Sequence, residues 1–219
     1  MSSVPGIQNI PAKAKKIEGA LKDLVNICQS FKINYVVIGS VSMVSSYGKL
    51  YRIPYDVDVL YDVKKEQILE RQLLKLGYTK FLQDHKINGL LKRPLERFTS
   101  GVKIIEPRRV EFSNKGMIIP VHLPTPLLNG KLGLHLRFSN KVSKPRLYKF
   151  GEVSFFGLSN IGLYIALKKS AKLNFGSKKD QKKRFNDMKL IEDSLNSYDI
   201  EEIKKDKSGI YFKSFPLLT

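Results

Sequence analysis

Cysteine is almost missing from this chain: Cys28 is the only one in 219 residues. That excludes an internal disulfide and fits a reducing compartment, so a cytoplasmic location is expected. One thiol and three scattered histidines, His85, His122 and His135, lack the paired ligand spacing of a structural zinc site, and none is expected. Long apolar runs are missing too. No window approaches the roughly 18 residues of a membrane span, and the first residues lack the apolar stretch of a secretory signal. No membrane partner is expected. Acids are scarce, with 20 Asp and Glu against 39 Lys and Arg, a formal net charge of +19. Apolar residues are not scarce: a 42% hydrophobic fraction, with 12 Phe and 10 Tyr, is enough for a core and excludes global disorder.

The charge is unevenly spread. From Phe112 to Lys179, 68 residues hold twelve Lys and Arg against one acid, Glu152. A surface this one-sided attracts a polyanion, and nucleic acid is the commonest inside cells. A solvated lysine-rich surface of a heat-adapted protein is the alternative. Thermal adaptation raises Glu together with Lys, however, and here Glu does not keep up.

Along the chain, Ile17, Leu21, Leu24, Cys28 and Phe31 recur at helical spacing and predict a helix over about 12–32. Tyr35 to Ile38 reads as a buried strand ending at Gly39-Ser40, and 41–47 as a short helix. Asp56 to Tyr61 alternates acid and apolar, a second strand. Asp62 can cap a helix over about 64–76, with Gly77 after it. Short strands are expected at 95–98, 102–105, 109–112 and 117–121, with turn chemistry between them, including Glu106-Pro107. Residues 122–150 read as a long basic connection, followed by helices at about 159–173 and 180–197. The order of elements predicts an α/β (α+β) fold. Its mixed sheet is flanked by helices, with a core at 1–125 and a basic connection with a small helical C-terminal region at 126–219.

The sharpest feature is Asp56-Val57-Asp58-Val59. Strand alternation turns Asp56 and Asp58 to one face and the valines to the other. Two adjacent carboxylates repel unless a cation neutralises them, and Mg²⁺ takes a few carboxylates plus waters and substrate phosphates. Alone, the pair also reads as two solvated acids on an edge strand. Seventeen residues before Asp56, however, Gly39 and Ser40 end a strand and open a helix. A glycine, free helix N–H groups and a hydroxyl can cradle phosphate. Together these are the equipment of phosphoryl or nucleotidyl transfer.

Gly39-Ser40, Arg52 and the Asp56/Asp58 strand resemble the DNA polymerase β-like nucleotidyltransferase superfamily. Within it the likeness is to the abortive-infection-type toxin and minimal nucleotidyltransferases. Gly157-Leu158-Ser159 through Lys168-Lys169 is similar to the family's lysine helix, and Arg184 to Asp187 to the helix after it. Pro54 stands where the family commonly has Thr, and Lys189 where it has a second Asp. The resemblance implies Gly39, Ser40, Arg52 and Lys168 as nucleotide ligands, with Lys169, Arg184 and Asp187 as alternatives. It implies Asp56, Asp58 and a third carboxylate as catalytic metal ligands for Mg²⁺ or Mn²⁺.

For that third carboxylate, Glu111 is preferred here. In Arg109 to Phe112 its alternation matches that of the Asp56/Asp58 strand, whereas Glu106 sits before Pro107, close to an expected turn. The activity implied is transfer of a nucleoside monophosphate from an NTP, ATP among them, to a hydroxyl; the basic stretch from Phe112 to Lys179 points to RNA, in particular a tRNA 3′ end, as the acceptor. A toxin role in a toxin–antitoxin or phage-defence system, with an antitoxin protein partner, follows from the same resemblance. Two other classes compete: a small-molecule, antibiotic-type adenylyltransferase and a non-catalytic nucleic-acid-binding protein on the same fold. The extent of basic sequence argues against the first, and the intact acid pair against the second.

Overall fold

The computed structural model describes residues 4–87, 91–113, 116–124, 131–139, 144–172, 178–206 and 209–213. Helix α1 (Lys15–Ser30) forms where the apolar stripe predicts it. Ile17, Leu21 and Leu24 are fully buried, each worth about 1.5–3 kcal/mol in removal from water. Cys28 lies in the same stripe, and burial pushes its thiol up to about 12, so it is a core residue and not a nucleophile. Strand β2 (Tyr35–Val37) follows, then α2 (Gly39–Tyr47), β3 (Val57–Asp62) and α3 (Glu66–Lys75).

The middle of the chain is strand-rich: β4 (Thr79–Ile87), β5 (Leu91–Ser100), β6 (Lys103–Ser113), β7 (Gly116–Pro124) and β8 (Lys131–Ser139). Strands β9 (Pro145–Phe150) and β10 (Val153–Leu158) come next. Then follow α4 (Asn160–Lys172), α5 (Lys178–Ser194), α6 (Ser197–Lys205) and β11 (Gly209–Lys213). With the short β1 (Gly6–Ile7), these strands form one mixed sheet. Its order is β1-β9-β10-β2-β3-β6-β7-β8-β11, with the β4–β5 hairpin branching from β6. The fold is the expected α/β arrangement of a mixed sheet flanked by helices.

Strand β3 is the axis of the sheet. It pairs antiparallel with β2, Val37 opposite Val59, and parallel with β6, Asp58 opposite Glu106. Its odd positions, Val57, Val59 and Tyr61, pack with α1 and α3 residues in one core cluster. Leu60, on the other face, joins Val36, Val110 and residues of α4 and α5 in a second. Period-2 alternation therefore sends Asp58 to the face covered by the C-terminal helices.

Two expectations are corrected. Residues 122–150 are not an irregular connection: β7 and β8 pair from Gly116 opposite Ser139 to Pro124 opposite Lys131, and β9 follows. Pro124 and Pro145 sit at strand ends, where a missing N–H costs little. The strands expected at 102–105 and 109–112 are one strand, β6, running straight through Glu106-Pro107. Proline's fixed φ and its restriction on the preceding residue both suit extended backbone. The boundary expected at 125/126 lies outside the described residues; strands on both sides of it belong to one sheet.

Candidate active site

Asp58 stands at the start of β3, beside the N-terminus of α2. Gly39 opens that helix at φ +64, and a Cβ there would meet Asp58 Oδ2 at 2.2 Å. Both the left-handed backbone and the close approach require glycine. The N–H of Ile38 donates to the Asp58 carbonyl at 2.9 Å, which fixes helix against strand. Ser40 is buried in the first turn. The free N–H groups of that turn lie next to a carboxylate, a natural place for phosphate bridged to it by a cation.

Asp56 lies in the bend before β3, and Glu106 is buried on β6 in register with Asp58. Burial first, then Asp58 and Glu106, push the Asp56 carboxyl from 3.8 up to about 7, while Arg97 and Lys183 pull the other way. Two guanidinium groups are threaded between the acids. Arg97 on β5 donates to Glu106 Oε1 and lies 3.9 Å from Asp56 Oδ2. Arg108 on β6 donates to Asp58 Oδ1 at 3.0 Å and lies 3.7 Å from Glu106 Oε2. Among the described residues no three His, Cys, Asp or Glu side chains form a ready ligand set; here the arginines take the carboxylate oxygens. The donor chemistry nevertheless suits a hard divalent cation, all oxygen and all anionic. At Asp56, burial and the two neighbouring acids outweigh Arg97 and Lys183, a balance that a bound cation would shift.

Glu111 is not brought to this cluster. It lies five residues past Glu106 on the same strand, roughly 16 Å along at 3.3 Å per residue, and is exposed opposite Ile118 of β7. An odd separation also turns it to the opposite sheet face, the face of Arg109, which pairs with Glu66 and Glu96. The carboxylate beside the pair is Glu106.

Arg52, in the loop before β3, donates to Asp187 Oδ2 at 2.6 Å, and Tyr51 donates to Oδ1 of the same buried carboxylate at 3.2 Å. Asp187 thus clamps α5 to the loop leading into the Asp56/Asp58 strand. Arg184, one turn earlier on α5, lies on the same side of that helix. Lys168 on α4 is exposed, its ammonium over the Tyr164 ring at 5.4 Å rather than in the carboxylate cluster. The side chain of Lys169 lies outside the described residues. The sequence reading missed Arg97, Arg108 and Lys183. Arg108 was findable once β6 was continuous, since it shares the Glu106 face two residues on.

No family model and no curated protein matches the sequence. Solved structures do. The fold is similar to the solution structure of the antibiotic-resistance factor ANT(2'')-Ia, with TM-score 0.56 at 10% identity, over 88% of this chain and 91% of that one. ANT(2'')-Ia in complex with adenylyl-2''-tobramycin gives 0.54 at 10% identity, over 85% and 94%. The lincomycin-bound lincosamide antibiotic adenylyltransferase LnuA gives 0.51 at 16% identity, over 80% and 96%. At such identities the likeness is one of fold, and this chain has a nucleotidyltransferase-like fold.

Proposed function

We propose that the protein is a metal-dependent nucleotidyltransferase that moves a nucleoside monophosphate from an NTP to a hydroxyl of RNA, with pyrophosphate leaving. The observation that carries this reading is the register of Asp58 with Glu106, next to Asp56 and to the glycine-opened N-terminus of α2. Asp56, Asp58 and Glu106 hold the cation, Mg²⁺ or Mn²⁺. When bound, it supplies positive charge at the reacting phosphate and makes the attacking hydroxyl more acidic. Glu106, the most buried of the three, accepts the hydroxyl proton. Gly39 and Ser40 offer backbone N–H groups to the phosphates, and Arg52, held by Asp187, adds a fixed positive charge at the same end of β3.

Asp56, Asp58, Glu106 and Asp187 are met here by Arg52, Arg97, Arg108 and Lys183, so charge for the acceptor comes from the basic sequence from Phe112 to Lys179. Lys144 and Arg146 are exposed at the start of β9. An anionic acceptor suits these surroundings, and an unpaired RNA 3′ end, as in tRNA, offers a hydroxyl on a strand thin enough to enter. A second reading, adenylyl transfer to a small antibiotic-like hydroxyl compound, is favoured by the fold likeness to antibiotic adenylyltransferases. Incubating the protein with Mg²⁺, each labelled NTP and either total RNA or a panel of small hydroxyl compounds separates the two. Label on RNA, falling roughly tenfold or more between low and physiological salt, is expected. Label on a small compound alone would replace the first reading with the second.

A further inference from the structure

Three carboxylates on one face of a sheet need countercharge, and this chain brings its own. Arg97 reaches Glu106 and Asp56 from β5; Arg108 reaches Asp58 and Glu106 from β6. Each guanidinium spans two different acids, and Glu106 is shared between them. Both Nε atoms are buried with no hydrogen-bond partner among the described residues. Arg52, held on Asp187, has a bare buried Nε as well; what sets Arg97 and Arg108 apart is that each spans two of the acids a cation would take.

We propose, resting on the nucleotidyltransferase reading, that Arg97 and Arg108 are substrate-binding residues with two stations. In the free protein they neutralise the carboxylates; in the loaded protein they bind the triphosphate oxygens of the NTP. A divalent cation and a guanidinium compete for the same carboxylate lone pairs, so taking up the cation weakens the arginines' hold. The NTP brings phosphate oxygens to the same place, and the planar fork of arginine fits phosphate as well as carboxylate. The exchange keeps both guanidiniums paired throughout, and it couples cation uptake to nucleotide uptake.

The test is a pair of affinities with opposite signs. Mn²⁺ binding to the full chain without nucleotide, followed by the electron paramagnetic resonance of free Mn²⁺, should tighten roughly tenfold in Arg97→Gln and in Arg108→Gln. Binding of a non-hydrolysable NTP analogue with Mg²⁺, measured by calorimetry, should weaken by a similar factor in the same variants. A merely structural role lowers both affinities or neither, and either pattern overturns the inference while leaving the nucleotidyltransferase reading intact. Absence of Mn²⁺ and nucleotide binding in the wild type overturns both. Should neither variant fold by circular dichroism, the wild type decides. Its Arg97 and Arg108 ¹⁵Nε resonances should move when the analogue is added with Mg²⁺, and stationary resonances overturn the inference.

Discussion

Replacing Asp56 by asparagine should stabilise the free protein, and the gain should grow with pH. Burial first, then the charges of Asp58 and Glu106, raise this carboxyl from 3.8 to about 7. A carboxyl raised in the folded state contributes stability that is complete below its unfolded value of 3.8 and is lost as the pH rises through about 7. The loss runs at about 1.4 kcal/mol per pH unit, on the order of 4 kcal/mol in full. On the order of 2–3 kcal/mol of it falls between pH 5 and pH 8. Asparagine keeps the shape and cannot ionise, so Asp56→Asn lacks this slope. Urea unfolding of both proteins at pH 5, 6, 7 and 8, followed by circular dichroism, gives the difference directly. It should widen by about 2–3 kcal/mol from the lowest pH to the highest. A difference that stays flat would show that Asp56 ionises in the folded protein as it does in the unfolded chain, and would refute the cost argued for burying its charge beside Asp58 and Glu106.

Other substitutions have effects as definite. Glu106→Ala and Asp58→Ala should each cut NTP turnover by roughly 10²–10⁴-fold, while Glu111→Ala should leave it near wild type; the reverse ranking in a steady-state assay would return the role to Glu111. Gly151, at φ +62 in the β9–β10 turn, has Glu18 Oε1 within 1.9 Å of where a Cβ would stand. That carboxylate accepts from the Glu152 N–H at 2.7 Å, so Gly151→Ala should cost about 2–3 kcal/mol in urea unfolding, and a neutral result would mean the turn reshapes freely. Asp187→Ala leaves Arg52 without its carboxylate in a largely buried place, and should cost about 3 kcal/mol. It should also raise the KM for NTP more than it lowers kcat, and an unchanged KM would remove Arg52 from the nucleotide site.

What the sequence could reveal was local. The stripe from Ile17 to Cys28 specifies α1 by spacing alone, and alternation from Asp56 to Val59 is enough to separate acids from valines. Glu106 and Glu111 could not be ranked that way, because alternation orders faces within one strand only. Which residue of β6 stands beside Asp58 depends on register with a strand some fifty positions earlier, which no local pattern encodes. Pro107 added to the error: a proline after an acid reads as a turn, yet it suits the extended backbone of β6. Arg97 and Arg108 were passed over because charge on a strand ordinarily means solvent. Here it means neighbouring carboxylates on other strands. The strands within 122–150 were hidden in part by Pro124 and Pro145, since a proline marks a strand end as readily as a loop.

The place of β10 beside β2 sets an order of assembly during synthesis. Val37 pairs with Gly157, so one edge of β2 has no neighbour until some 120 further residues have been made. Strands β3, β5 and β6 can meet well before that, bringing Asp58, Glu106 and both arginines together while the chain is still growing. The Arg52–Asp187 clamp closes later still, once α5 has emerged. Once these strands have met, a ribosome-bound chain can therefore hold Asp58 and Glu106 already matched with guanidinium groups before the sheet is complete. Self-pairing of that kind keeps a nascent site from exposing bare like charges during the interval when the fold has least stability to spare.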